Sequence, residues 1–251
     1  MLMYLTKDRV EKVIRHEHHI GNDFFDVNKA NFSDYSLDEI VEKSKGLIEE
    51  ELDYDFEDKT CAIVGSGPTV FNNEYGEEID KYDYVVRFNL ARTKGFEKNV
   101  GTKSDFRVVS TKSYGYIENP GYEKHRFDFF QSLDDHIIIK PRADNMWRWF
   151  VGGLINNIDS KSKISVIDVE SMNFISREFK HMIEPSCGLL GIIYFLNYFK
   201  VLDLYGFDFY ETTDNIHYFE KVNYNEKVHS FNEEKDYCLK LLANEKIRFI
   251  R

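Results

Sequence analysis

Two histidines stand where a packed core would not put them. His217 and His229 lie in the stretch Asp214 to Ser230, which is polar and lacks apolar periodicity. An imidazole, with an ordinary pKa near 6.5, can take up a proton at neutral pH, so the pair suits acid–base chemistry. Glu234 follows His229 with four residues between, just ahead of a last helix. A second set of residues suits an anion. Gly65-Ser66-Gly67-Pro68 is a small-residue turn after the apolar run Cys61 to Val64, and Ser186 in Pro185-Ser186-Cys187-Gly188 stands as a cap where a helix begins. A glycine turn at a strand end lets backbone N–H groups approach a phosphate, as does a helix N-terminus. On local grounds each is equally an ordinary turn or cap. Gly-Ser-Gly-Pro has neither the G-x-G-x-x-G spacing nor the Lys-Ser/Thr of a P-loop.

Other constellations are less favourable. Adjacent residues on a helix point in different directions, so His16-Glu17-His18-His19 reads as a solvated face and not a metal site. Asp168-Val169-Glu170 ends a strand and offers an Asp-x-Asp-like pair to a metal-dependent nucleotide-sugar transferase. Asp53-Tyr54-Asp55 precedes the sheet and does not. A dinucleotide-dependent redox enzyme would need an acidic ribose-binding residue in frame after a fingerprint, and none is seen.

The elements that must position these residues alternate. Strands are expected at 60–65, 83–88, 105–110, 136–140, 163–168, 201–206 and 246–250, and helices at 142–157, 171–181, 187–199 and 231–244. Asn89 and Ser110 close the second and third strands. Alternation of this kind implies an α/β fold with a mostly parallel sheet covered on both faces and ligands at the carboxyl ends of its strands. Residues 1–58 read as a helical extension to a domain over 59–251. Val10, Val13 and Ile14 share one helical face; Leu37, Ile40, Val41, Leu47 and Ile48 form a second stripe. Ser36 with Glu39 matches a capping box, although Asp34 could cap instead. The segment 111–130 carries Gly, Pro and aromatics without periodicity, as a loop that closes over a substrate would.

Composition bounds the class. The chain has 251 residues, enough for one good core, and is rich in aromatics at 16%. A net charge of −11 argues against a non-specific nucleic-acid grip, yet leaves room for a local basic pocket. Cys61, Cys187 and Cys238 make an odd number without zinc spacing, which fits a reducing compartment. Met1 is followed by charged residues and no apolar core, and Leu189 to Phe199 falls short of the roughly 20 residues that span a bilayer. A soluble cytoplasmic protein is the expectation.

The wording of whole segments is more specific than any of these patterns. Cys61 to Gly65, Tyr75-Gly76-Glu77-Glu78-Ile79-Asp80, Val85-Val86-Arg87-Phe88-Asn89 and Thr93 to Lys103 run together. This closely resembles the long sialylmotif of the eukaryotic-type sialyltransferases, glycosyltransferase family 29. Pro185 to Leu190 resembles the family's short motif, Ile216-His217-Tyr218-Phe219-Glu220 its aromatic His-Tyr motif, and His229 with Glu234 its very short motif. The four occur in the family's order over residues 59–251.

The resemblance implies a Rossmann-like domain, a variant of the GT-A architecture, binding a CMP-sugar donor and a glycan acceptor. It implies an inverting transfer of sialic acid to a hydroxyl, with a terminal galactoside as the acceptor and no metal or other cofactor. CMP-Kdo is the alternative donor. His229 would be the general base, His217 would bond the departing phosphate and Glu234 would orient. Ser66, Gly67, Asn89, Ser110, Ser186, Cys187 and Gly188 would hold the nucleotide. Tyr210 enters through Gly206-Phe207-Asp208-Phe209-Tyr210, which matches a segment of the bacterial sialyltransferase family 42. Gly65-Ser66-Gly67-Pro68 is also closer to that family's turn. Family 29 usually joins its long-motif cysteine to one at the end of the short-motif helix. Here that position is Phe199, so Cys61 lacks that partner. These departures suggest a bacterial or viral relative acting in the cytoplasm, with contact to the inner face of a membrane where the acceptor is lipid-linked. A nucleotide-binding module without catalysis is the non-enzymatic alternative.

Overall fold

The computed structural model describes residues 4–19, 35–115, 129–141, 147–177, 179, 184–209, 217–220 and 229–250. In chain order the helices are α1 (Lys7–His19), α2 (Leu37–Leu47), α3 (Gly76–Ile79), α4 (Glu97–Val100), α5 (Thr111–Gly115), α6 (Trp147–Asn156), α7 (Val169–Arg177), α8 (Cys187–Phe195) and α9 (Phe231–Ala243). The strands are β1 (Cys61–Val64), β2 (Tyr84–Phe88), β3 (Phe106–Ser110), β4 (His136–Lys140), β5 (Ile164–Val166), β6 (Leu202–Tyr205) and β7 (Ile247–Phe249). They form one seven-stranded sheet in the order β5-β4-β3-β2-β1-β6-β7. The pairings β1 with β2, β1 with β6, β2 with β3, β4 with β5 and β6 with β7 are all parallel. Each expected strand is present; β4 has the expected bounds and the other six are one to three residues shorter. The order reverses between β1 and β6, and at such a switch point the chain leaves both strands in opposite directions and opens a crevice.

The structure divides into two compact units, one of Tyr54–Val108 with Met172–Arg251 and one of Leu2–Asp53 with Val109–Ser171. In the first, the connections between β1, β2 and β3 (residues 65–83 and 89–105) carry as α-helices only the four-residue α3 and α4, too brief for helical periodicity to announce. They are held by polar side chains instead. The Asp80 carboxylate accepts from the backbone N–H groups of Thr102 and Lys103 and from the Thr102 hydroxyl. Two guanidiniums are entirely inside, Arg87 at 0% and Arg107 at 1% exposure. Arg87 donates to the carbonyls of Val100 and Lys103, and Arg107 to those of Asn89 and Ala91. Carbonyls placed on a guanidinium's N–H groups offset much of the cost of burying its charge. Phe199, where the resemblance would put a cysteine, is buried, with ring centroids 5.2 Å from Phe56 and 5.8 Å from Tyr84. All three cysteines are buried and free.

In the second unit Val10, Val13, Ile14, Ile40, Val41 and Ile48 are buried, as the two stripes require. The capping box is formed: Ser36 Oγ accepts from the Glu39 N–H and Glu39 Oε2 from the Ser36 N–H. Asp34 lies outside the described residues. Tyr4 and Ile48 each bridge the sheet's outer edge, to Ile167 and Ile164. Contrary to the loop expected over 111–130, residues 111–115 form α5, because Ser110 accepts the Ser113 N–H and starts a helical turn. Residues 116–128 lie outside the described set, as do parts of the expected helices 142–157 and 171–181.

His136 is buried on β4, 2.9 Å from Ser165 Oγ, which itself donates to the Glu49 carbonyl. The hydroxyl has one proton, so the imidazole Nε2–H is the donor to Ser165. Burial lowers the His136 pKa from 6.5 to about 4. Between those values the unfolded chain binds the proton and the folded chain does not, so stability falls as pH drops through this window. The contribution amounts to roughly 3 kcal/mol. Urea unfolding at pH 7 and pH 4 should show a larger loss for the native chain than for His136→Gln, by about that amount; equal losses would remove His136 as the cause.

Candidate functional site

The switch point is built by three glycines. Gly65 N donates to the Tyr205 carbonyl at 2.7 Å and Gly67 N to the Gly206 carbonyl at 3.0 Å. A Cβ at Gly65 or Gly67 would meet the Gly206 oxygen at 2.7 or 2.5 Å, closer than such atoms come. Gly206 takes a φ of +70°, and Pro68 opens a 3₁₀ turn over Pro68–Asn72. Gly65 and Gly67 therefore present only backbone here, because the neighbouring strand leaves no room for a side chain, and the Gly67 N–H is itself taken by the Gly206 carbonyl.

Two further segments join this corner. The Tyr218 N–H donates to the Ser66 carbonyl at 2.9 Å, which pins residues 217–220 against the turn. The Tyr218 hydroxyl, whose pKa is pushed up by burial, donates to the Arg92 carbonyl at 2.8 Å. His217 stacks on Phe219 at 5.2 Å and 11° and holds its Nδ1 3.0 Å from the Glu220 carboxylate, so Nδ1 carries the proton. On the other side a Cβ at Gly188 would lie 3.1 Å from Phe207, the residue after Gly206. This sets the start of α8 beside β6. Ser186 caps α8, its Oγ accepting from Leu189 N at 3.1 Å. Cys187 Sγ lies 3.7 Å from Asn89 Oδ1. Asn89 ends β2 in the left-handed region, φ +43°, where Arg107 grips its carbonyl at 3.1 Å. An asparagine tolerates that conformation better than most residues.

His229 and Glu234 form a two-point clasp on this helix start. His229 Nδ1 donates to the Glu184 carbonyl at 2.9 Å, which leaves Nε2 of the neutral ring as an acceptor. Glu234, 3% exposed in the first turn of α9, accepts from Ser186 N at 2.8 Å and from Ser186 Oγ at 2.5 Å. The clasp straddles Pro185 and fixes the imidazole relative to the α8 N-terminus. Glu234 thus holds Ser186 at the start of α8.

One unit therefore brings together Ser66, Gly67, Asn89, Ser186, Cys187, Gly188, His217, His229 and Glu234. Ser110 falls in the second unit, where its hydroxyl lies 3.0 Å from that of Ser113 and starts α5. Tyr210 lies outside the described residues. Asp168 caps α7, accepting from Ser171 N and Oγ, so the Asp168–Glu170 metal pair is not formed. Among the described residues no group of three His, Cys, Asp or Glu is placed to hold a metal ion. Sequence reading passed over Glu220, whose spacing of three from His217 was the available signal. Glu184 left no signal, because it acts through its carbonyl.

The model of glycosyltransferase family 29 (sialyltransferase) matches residues 5–247. The chain belongs to that family. It is 28% identical over 179 residues to human CMP-N-acetylneuraminate-beta-galactosamide-alpha-2,3-sialyltransferase 1, covering 64% of this chain and 48% of that protein. A stretch of 64 residues, 26% of this chain and 12% of the relative, is 44% identical to bovine beta-galactoside alpha-2,6-sialyltransferase 2. This family 29 chain spans about half the length of the curated relatives it matches. The fold is that of a crystal structure of a mammalian sialyltransferase, with TM-score 0.63 and 21% identity over 100% of this chain and 90% of that one. It is also similar to the alpha-2,3-sialyltransferase Cst-I from Campylobacter jejuni, TM-score 0.51 at 16% identity over 80% and 79% of the chains. That likeness parallels the family 42 wording seen around Gly65 and Gly206.

Removing the Glu234 carboxylate would leave the Ser186 N–H and hydroxyl without their acceptor inside the protein. Glu234→Ala should cost about 2–4 kcal/mol and lower Tm by several degrees. Thermal unfolding of the variant beside an exposed control on the same helix such as Asp236→Ala measures it, and matching Tm values would show that the clasp carries no weight.

Proposed function

We propose that this chain is an inverting glycosyltransferase that moves a sialic acid from CMP-sialic acid to a hydroxyl of a glycan acceptor, a terminal galactoside, without a metal. The observation that carries the reading is the tethered imidazole of His229. Its Nδ1–H is held by a backbone carbonyl two residues before the cap of a helix whose N-terminus suits an anion, so its other nitrogen is an acceptor beside that anion site.

In this reading the CMP lies across the corner of β1 and β6, its phosphate met by the Ser66 N–H, the start of α8 and Asn89, while Gly67, whose own N–H is taken by the Gly206 carbonyl, lines the corner with bare backbone. His229 Nε2 takes the proton of the acceptor hydroxyl as its oxygen attacks the anomeric carbon from the face opposite the phosphate. The bond from that carbon to the phosphate oxygen breaks, and its electron pair leaves on CMP. His217, whose Nδ1 is held on the Glu220 carboxylate, is the residue that bonds the departing phosphate in this reading. CMP leaves with its charge on low-pKa oxygens, so fixed hydrogen bonds can stand in for a Lewis acid. The galactoside acceptor is supported by relatives named for beta-galactosamide and beta-galactoside substrates, and by a related fold solved with Gal-beta-1-3GalNAc-ortho-nitrophenol. Three free buried cysteines fit action in a reducing cytoplasm, with membrane contact only through a lipid-linked acceptor.

His229→Ala should lower turnover by a factor of about 10²–10⁴ while CMP affinity persists; near-normal turnover would remove His229 as the base. Activity should also survive a chelator, and a loss restored by added divalent metal would overturn the metal-free mechanism. Mass spectrometry of products from CMP-sialic acid and CMP-Kdo over a panel of glycan acceptors identifies the donor. Transfer from CMP-Kdo alone would replace sialic acid in the reading.

A further inference from the structure

The donor in this reading carries two anionic groups, the phosphate and a carboxylate on the reacting carbon. On a chain of net charge −11, such a ligand needs local positive charge. Arg87 and Arg107 are committed to the fold, buried with their N–H groups on backbone carbonyls. Arg92 is differently placed. It lies three residues after Asn89 on the same loop, and it is exposed. Its own carbonyl receives the Tyr218 hydroxyl, its Nη2 lies 3.4 Å from the Phe219 carbonyl, and its guanidinium carbon is 5.7 Å from the centre of the Phe96 ring. The guanidinium is therefore held where the Asn89 loop meets the His217–Glu220 segment, the two parts that flank the phosphate in the proposed reaction. A guanidinium has five N–H donors, and one long bond over a ring face leaves most of that fork for an oxyanion.

We propose that Arg92 is an anion-binding and specificity-determining residue of the donor site, taking a carboxylate or phosphate group of the CMP-sugar on its guanidinium fork. This rests on the reading of the corner as a CMP-sugar site. The Tyr218 bond is made to the Arg92 backbone, so a change of the side chain spares it.

The test is calorimetric titration of cytidine, CMP and CMP-sialic acid into the otherwise native chain and into Arg92→Ala, both carrying His229→Ala so that the donor is not consumed. Cytidine should bind both equally, and CMP-sialic acid should bind Arg92→Ala about tenfold or more weakly, the loss of a charge-assisted bond. An equal loss for CMP assigns the contact to the phosphate; a loss confined to CMP-sialic acid assigns it to the carboxylate. Arg92→Lys should fall between, since the ammonium keeps the charge but not the fork. Unchanged affinity for all three ligands overturns the proposal, and so does a parallel loss that includes cytidine, which would make Arg92 a fold residue. Failure of the parent chain to bind any of them would instead sink the CMP-sugar reading itself.

Discussion

The close approach of β1 and β6 where their backbones turn is the constraint on which the site depends. Gly67 N reaches the Gly206 carbonyl at 3.0 Å, and a Cβ on either Gly65 or Gly67 would collide with that same oxygen. Because no side chain fits, what faces the crevice there is backbone. Gly206 must also take a positive φ to bring Phe207 under Gly188. The glycines are therefore not merely permissive. They let β6 deliver the start of α8 and let Tyr218 pin the His217 segment to Ser66, so three segments distant in sequence meet at one corner.

Most of the long motif serves this corner indirectly. Asp80 stitches Thr102 and Lys103, Arg87 holds Val100 and Lys103, and Arg107 holds Asn89 and Ala91. These bonds replace the crossover helices that usually hold neighbouring parallel strands. A buried arginine that loses its carbonyls is costly, so each turn is locked to its strand. The result is that Asn89 stays in a left-handed conformation that its own short side chain tolerates but does not impose. A motif of some fifty residues is thus largely a description of how one loop is held still.

That explains what was legible in the sequence. The strands were visible as apolar runs, and β1, β2, β3 and β6 lie where those runs predict; β2 and β3 each lose only their first residue, where the Asp83 and Asp105 carboxylates accept from Thr60 N and Val85 N. The capping box at Ser36 and the cap at Ser186 were visible because their chemistry is local. α3 and α4 were not, since four residues cannot show a helical period. α5 was hidden because a single hydroxyl, Ser110, starts it within a segment that otherwise reads as loop. Ser110 reads as a nucleotide-binding residue through the resemblance alone, and its hydroxyl lies 3.0 Å from that of Ser113. The N-terminal stripes were read correctly as helical faces, but the edge bridges of Tyr4 and Ile48 are backbone events and left no pattern.

The two imidazoles are each oriented by what holds them. Both donate through Nδ1, yet one acceptor is the neutral Glu184 carbonyl and the other the Glu220 carboxylate. Either acceptor fixes its ring in one tautomer, with Nδ1 as the donor. In the proposed reaction one ring takes the proton of the acceptor hydroxyl while the other bonds the departing phosphate. The clasp adds the geometry. Glu234 grips Ser186 from the turn that follows His229, so the imidazole moves with the helix start that would receive the phosphate in the proposed reaction. A rigid link between the base and the leaving-group site is what a displacement with attack and departure on opposite faces requires, because both ends of the reacting line must stay aligned through one step.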